Sequence, residues 1–331
     1  MGQKSGSFRL KASVSIALTF FALGAAAQQN YPVQPVTLVT PFSTGGDADM
    51  AARALAASAQ KYLGQSIVVV NRGGANGAIG SQQVKEARPD GYTLLLARVG
   101  SQVILPALQP TLSYRWNDFT FLGLLELNPV VCAVNSASRI QDMADLVQKI
   151  KSEPGKLNYA TSGPATVLNL GPQMLFSILG LGREVAVPIG YKGAGDAVMG
   201  VLSGDVDFIC TNVAPISSLI KANRLRGLIT TTPERLVEFP AIPSAKEAGY
   251  PQLEAIIGWS ALYGPPGMDQ GIVGIWTEAL DKVSRDPAWQ QATTSAGSIP
   301  AIKAPADTEK YMQEQYTAYD KLGKTLGIAL K

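Results

Sequence analysis

Apolar and polar residues follow two rhythms along this chain. Residues 36–39, Val-Thr-Leu-Val, form a short apolar run that reads as a buried strand. Ala52, Leu55, Ala56, Ala59 and Leu63 then recur every three or four positions, the spacing of one helix face. A second strand is predicted at 67–70, a helix at 78–87 and a third strand at 92–97. Strands that alternate with helices in this way build a mainly parallel sheet with helices on both faces. The rhythm then restarts. Apolar runs at 121–127 and 130–134 are broken by Asn128-Pro129, and 140–150 is amphipathic. A strand at 158–160 leads through a loop into a helix at 167–179, and further strands are predicted at 185–189, 206–211 and 225–231. Pro233, Pro240, Pro243 and Pro251 mark a loop-rich stretch, followed by a long apolar strand at 256–263. The tail reads as helices at 271–285, 287–296 and 306–326.

Two α/β units joined by apolar segments predict two lobes with a cleft between them. The expected first lobe is 28–127 plus 255–331, with the tail packed back on it, and the second is 128–254. Residues 1–27 stand apart. Lys4, Arg9 and Lys11 precede an apolar run at 12–23, and Ala25-Ala26-Ala27 closes it, the pattern of a cleavable secretory signal. The run is shorter than the about 20 residues that span a bilayer. No Cys follows it directly, which argues against a lipid anchor.

The charge balance changes once the signal is set aside. The whole chain carries 28 Lys and Arg against 25 Asp and Glu. The signal holds three basic residues and no acid, so the mature chain has 28 − 3 = 25 of each sign. A neutral chain does not fit nucleic acid, which favours basic surfaces. Histidine is absent. That removes the commonest general base and metal ligand and excludes a Ser-His-Asp arrangement. No metal and no cofactor is expected. Cys132 and Cys210 sit in apolar, strand-like runs. An oxidising compartment would let them pair, but the expectation is two unpaired cysteines acting as small hydrophobes.

Three strand-to-helix turns carry candidate chemistry. The first is Pro41-Phe42-Ser43-Thr44-Gly45-Gly46-Asp47-Ala48-Asp49. Helix N-termini hold unpaired N–H groups and attract anions, and ligands of open α/β sheets bind beyond the carboxyl ends of strands. Ser43 and Thr44 add hydroxyl donors; alternatively the segment is an ordinary turn with Asp47 or Asp49 as cap. The second, 71–80, matches neither a dinucleotide fingerprint nor a phosphate loop and reads as a structural turn. The third, Thr161-Ser162-Gly163-Pro164-Ala165-Thr166, is the matching turn of the second unit. It either faces the first across the cleft or only caps its helix. Arg98 ends the third strand and either grips a carboxylate or lies at the surface. Trp259, on the long strand at 256–263, either stacks on a ligand ring or fills the core.

At these residues the sequence resembles the substrate-binding proteins of tripartite tricarboxylate transporters, the TctC or Bug family. The segments PFSTGGDADMAAR (41–53), LGQSIVVVNRGGANGAIG (63–80), YATSGPATVLNL (159–170), IGYKGAGDAV (189–198) and FPAIPSAKEAGYP (239–251) follow in the family's order. The resemblance implies a two-lobed periplasmic-binding-protein fold of type II, with no catalysis. It implies a periplasmic, monomeric receptor that hands a small organic carboxylate to membrane permease subunits. It also implies that Phe42, Ser43, Thr44, Ala48 and Asp49 face Thr161, Ser162, Gly163 and Thr166 across one ligand carboxylate, with Asn212 beside them. Three positions depart from the pattern. Many relatives have His at Asn169, Asp at Thr211 and a small residue near Arg98. An added cation points to a second carboxylate on the ligand. With Phe42 and Trp259 at hand, an aromatic dicarboxylate such as terephthalate is the expectation, as in the terephthalate-binding branch. The competing readings are a sensor component that presents its ligand to a signalling partner, and an exported α/β enzyme.

Overall fold

The computed structural model describes residues 1–3 and 31–330. The predicted signal segment lies outside the described residues except for its first three. The chain opens with β1 (Val36–Thr40), α1 (Asp47–Leu63), β2 (Ile67–Asn71), α2 (Ala78–Lys85) and β3 (Thr93–Arg98). The apolar stripe read from the sequence is the buried face of α1: Ala48, Ala52, Leu55 and Ala59 are fully covered. Covering such aliphatic side chains contributes about 1.5–3 kcal/mol for each residue of Leu size. α1 stops at Gly64, whose φ of 70° closes the last turn in the left-handed region.

β3 runs into a wide helical turn, Gly100–Ile104, that continues as α3 (Leu105–Leu108). Then come β4 (Thr120–Asn128), β5 (Val130–Asn135), α4 (Met143–Ser152), β6 (Leu157–Thr161) and α5 (Val167–Ile178). β7 (Ala186–Gly190), α6 (Ala194–Ser203), β8 (Phe208–Asn212), α7 (Ser217–Lys221) and β9 (Leu225–Thr230) follow. The chain ends in β10 (Gly258–Gly264), α8 (Gln270–Ser284), α9 (Pro287–Ser295), β11 (Ile299–Lys303) and α10 (Pro305–Thr325).

Among the described residues the strands form two sheets, ordered β11-β4-β10-β3-β1-β2 and β7-β6-β8-β5-β9. In the first, β1, β2, β3 and β4 run one way and β10 and β11 the other. In the second, only β5 opposes its neighbours. Each sheet is therefore mainly parallel and flanked by helices, with one reversed strand in its interior. That reversed strand is the one arriving from the other sheet: β5 enters the second and β10 returns to the first. Both are apolar because both are central. Every residue of β10 is buried.

The chain thus crosses between the sheets at Asn128-Pro129 and again before β10. Thr231 ties the two crossings together: its hydroxyl donates to the Ile256 carbonyl at 2.7 Å and accepts from the Val130 amide at 3.2 Å.

The structure corrects the cysteine expectation. Cys132 on β5 and Cys210 on β8 lie directly opposite in the antiparallel register, their Cα atoms 3.9 Å apart, and form a disulfide. Their apolar setting was legible, but the pairing needs the strand order, because the two residues are 78 apart in sequence. Other elements also went unread. β11 is a half-exposed edge strand with little apolar signal, and no element was predicted for the wide turn after β3 or for α3.

Candidate functional site

The two sheets turn the carboxyl ends of equivalent strands toward each other. In the first sheet these are the ends of β1 and β3, and in the second the ends of β6 and β8. Each pair lies where the chain's direction of winding reverses, the usual place for a ligand in an open α/β sheet. A narrow cavity of about 30 Å³ lies between them. Phe42 and Asp47 from the β1–α1 turn and Arg98 to Gly100 after β3 line one side. Ser162, Thr166, Val167 and Leu168 from the β6–α5 turn, Ala194 of α6 and Asn212 at the end of β8 line the other.

Three helices begin at this cavity: α1 at Asp47, α5 at Val167 and α6 at Ala194. Their caps, Gly46, Thr166 and Gly193, make no side-chain hydrogen bond to the helix amides. Elsewhere α4, α8 and α9 are capped by the carboxylates of Asp142, Asp269 and Asp286, while α2, α3, α7 and α10 also lack a side-chain cap. The cleft helices therefore present bare N–H groups and the positive ends of their dipoles to one small volume. Such an arrangement favours an anion. The hydroxyl of Ser43 and the Oδ1 of Asn212 are buried and find no hydrogen-bond partner among the described residues. Buried polar atoms are normally paired, so both are candidates for contact with a ligand.

A buried ionic chain runs through the site. Arg98 is 3% exposed, and its guanidinium donates to Asp47 and to the hydroxyl of Ser260. Ser260 in turn donates to Glu126 at 2.8 Å, and Asn128 donates to Glu126 at 2.9 Å and to Ser298 at 2.9 Å. Burial pushes the Glu126 carboxyl above its ordinary range; hydrogen bonds from Asn128 and Ser260 and the charge of Arg98 only partly oppose this. Asp47 also accepts from Asn212. One carboxylate thus holds a residue of each sheet.

The residues expected at the site divide into those that line the cavity and those that shape its walls. Phe42, Arg98, Ser162, Thr166 and Asn212 line it. Ser43 and Thr44 sit in the same turn, with Thr44 exposed. Ala48 is fully buried under α1, and Asp49 holds the turn by accepting from the Gly45 amide at 3.0 Å and pairing with Arg53 at 2.9 Å. Burial would raise the Asp49 pKa, but the bonds from Arg53, Gly45 and Asn71 outweigh it and hold the carboxyl low.

Thr161 shapes the second turn through its hydroxyl, which accepts from the Gly163 amide at 3.1 Å. Thr161, Gly163 and Asn169 line a separate cavity of about 330 Å³ on the second sheet's side. Asn169 is committed to structure: it accepts from the Tyr159 hydroxyl at 2.7 Å and donates to the Pro164 carbonyl at 3.1 Å. Trp259 has no exposed surface and lies between β3 and β4, opposite Leu127, as core rather than cleft. Asp47 was read only as a cap; its place on Arg98 depends on β3, which is remote in sequence. Ala194 gave no polar signal at all.

The chain matches the model of the tripartite tricarboxylate transporter family receptor over residues 51–328. The chain belongs to that family. The match begins inside α1, so the turn bearing Phe42 and Asp47 lies ahead of it. This receptor is 28% identical to the periplasmic binding protein BugD, which aligns over 91% of this chain and 100% of its own with a TM-score of 0.86. It is 27% identical to MatC of Rhodopseudomonas palustris, solved with malate (88% and 99% covered, TM-score 0.83). It is also 27% identical to the R. palustris protein Rpa4515, solved with adipate (90% and 99% covered, TM-score 0.85). The family is one of periplasmic solute-binding proteins, not of enzymes, and the two-lobed type II fold of the receptor agrees with it.

Proposed function

We propose that this receptor captures a small organic carboxylate in the periplasm and delivers it to the permease subunits of a tripartite tricarboxylate-type transporter. The convergence of three uncapped helix N-termini and Arg98 on one cavity carries this reading. The lobes are 28–127 with 255–331, and 128–254, and the protein acts as a monomer exported by the signal at 1–27. The sheet memberships of β10 and β11 support that division. One ligand carboxylate rests on the amides at the starts of α5 and α6, with the hydroxyls of Ser43 and Ser162 at hand. Two similar receptors are solved with malate and with adipate, both dicarboxylates.

Arg98 supplies a cation for a second carboxylate, and the ring of Phe42 supplies an aromatic wall. The specific ligand is accordingly an aromatic dicarboxylate, with terephthalate as the first candidate. Trp259 is not part of that wall. The cavity of about 30 Å³ has room for about two or three waters at the 10–15 Å³ that each needs, so the lobes must part to admit such a ligand. Calorimetry with terephthalate, adipate, malate and benzoate tests both levels. Heat from at least one dicarboxylate is expected, and silence from all four would refute the receptor reading. Adipate or malate binding more tightly than terephthalate would refute the aromatic assignment alone.

A further inference from the structure

Arg98 is not free to receive a ligand. One arm of its guanidinium is on Asp47 and the other on Ser260, and the whole side chain is buried. Asp47 opens α1 in the first sheet's unit, whereas Asn212 ends β8 in the second. The Asp47 carboxylate accepts from both, as the carboxylate of a ligand lying across the cleft would. Adding a ligand carboxylate while Asp47 stays in place would set two anions against one buried cation. Like charges at such range disfavour each other strongly in a site shielded from water.

The side chain has somewhere to go. Asp47 also lines a second cavity, of about 360 Å³, together with Met50, Ala51 and Ala54 of α1. That cavity is bordered by Arg53, whose side chain is 56% exposed and pairs with Asp49, and by Glu126. A rotation of the Asp47 side chain toward it would leave the helix undisturbed and free Arg98 and Asn212 together.

We infer that Asp47 is a built-in competitor for the place of the second carboxylate, and that a dicarboxylate binds by exchanging with it. This rests on the receptor reading above. In the empty protein Asp47 holds the two lobes together through Arg98 and Asn212, and in the complex the ligand does so instead. Binding is then weakened by the work of displacing Asp47, and only ligands with a second carboxylate gain from displacing it.

Asp47→Asn keeps the shape and removes the charge. Calorimetry should show adipate or terephthalate binding about tenfold more tightly to Asp47→Asn than to the wild type, within the usual range of such couplings. Benzoate, with one carboxylate, should change less than about threefold. Equal or weaker dicarboxylate binding by a folded Asp47→Asn protein, with the wild type still binding, would overturn the exchange and leave the receptor reading standing. No carboxylate binding by the wild type would sink the receptor reading and the exchange with it. Should Asp47→Asn not fold, the crystal structure of the wild type with a bound dicarboxylate decides. A ligand carboxylate on Arg98 with Asp47 turned away supports the exchange, and Asp47 still on Arg98 overturns it.

Discussion

Glu126 lies in β4, 5% exposed, two bonds removed from Arg98 through Ser260. Burial raises its carboxyl above the ordinary 4.5. A carboxyl raised on folding supports the fold while protonated. Its contribution is complete below about 4.5 and is lost as pH rises through the raised value. Glu126→Gln keeps an acceptor for Asn128 and Ser260 and cannot ionise. The variant should melt close to the wild type near pH 4.5 and increasingly above it toward pH 8, as buried charge is removed. All other titrating groups are shared, so they cancel in the difference, and a difference flat with pH would refute the assignment. At this scale the sequence was readable where a residue's own chemistry decided its place. Arg98 at a strand end and Ser162 and Thr166 before a helix reach the cavity by local geometry. The contacts of Asp47, Asn169 and Trp259 were not legible because their partners, Arg98, Tyr159 and Leu127, come from other segments.

Among the elements, α9 shows how one side chain can do two structural jobs. Asp286 caps the helix by accepting from the Ala288 amide at 2.9 Å. It also binds Ser58 at 2.5 Å and Lys61 at 2.9 Å on α1, and these bonds lower its pKa to about 2. Lys61 is half exposed, so the ion pair adds little beyond the cap and the buried Ser58 bond. Asp286→Ala should cost about 1–2 kcal/mol. That is a fall in melting temperature of roughly 2–3 °C for a chain of this size. Carboxylate affinity should not change, since α9 does not line the cleft. The depressed pKa places the loss in a defined window: the stabilisation is present above pH 3.8 and fades as pH falls toward 2. Wild type and variant should therefore converge in acid. The Cys132–Cys210 bond joins β5 to β8 across 78 residues, and its reduction should lower stability by about 2–4 kcal/mol, read as a drop in melting temperature with dithiothreitol. Helices and central strands were legible because their periodicity is strong. The disulfide and β11 depend on which strands become neighbours, which no local window contains.

For the whole molecule, the question is what lets the lobes close so tightly. Backbone meets backbone across the cleft. A Cβ on Gly195 of α6 would come within 2.9 Å of the Thr44 carbonyl and 3.1 Å of the Gly45 carbonyl carbon. A Cβ on Gly193 would collide with Ser43, and one on Gly163 with the Asn76 side chain. Asn76 can swing aside, whereas the Ser43 amide nitrogen, 3.0 Å from a Cβ on Gly193, and the Thr44 carbonyl are fixed in their turn. Gly195 also sits within a helix, where alanine is favoured over glycine by up to about 1 kcal/mol. Gly195→Ala therefore separates two effects that usually move together. The second lobe should be as stable as before or slightly more so, with melting temperature unchanged or raised by a few degrees. The closed state should nevertheless be lost, because the methyl meets backbone that cannot yield. Small-angle X-ray scattering should show a larger radius of gyration, and dicarboxylate affinity should fall by about tenfold or more, since the ligand would no longer reach both sets of helix amides. A variant that is equally stable, equally compact and binds as well would mean that the lobes meet differently when loaded, and that the packing of Thr44 on Gly195 plays no part in capture.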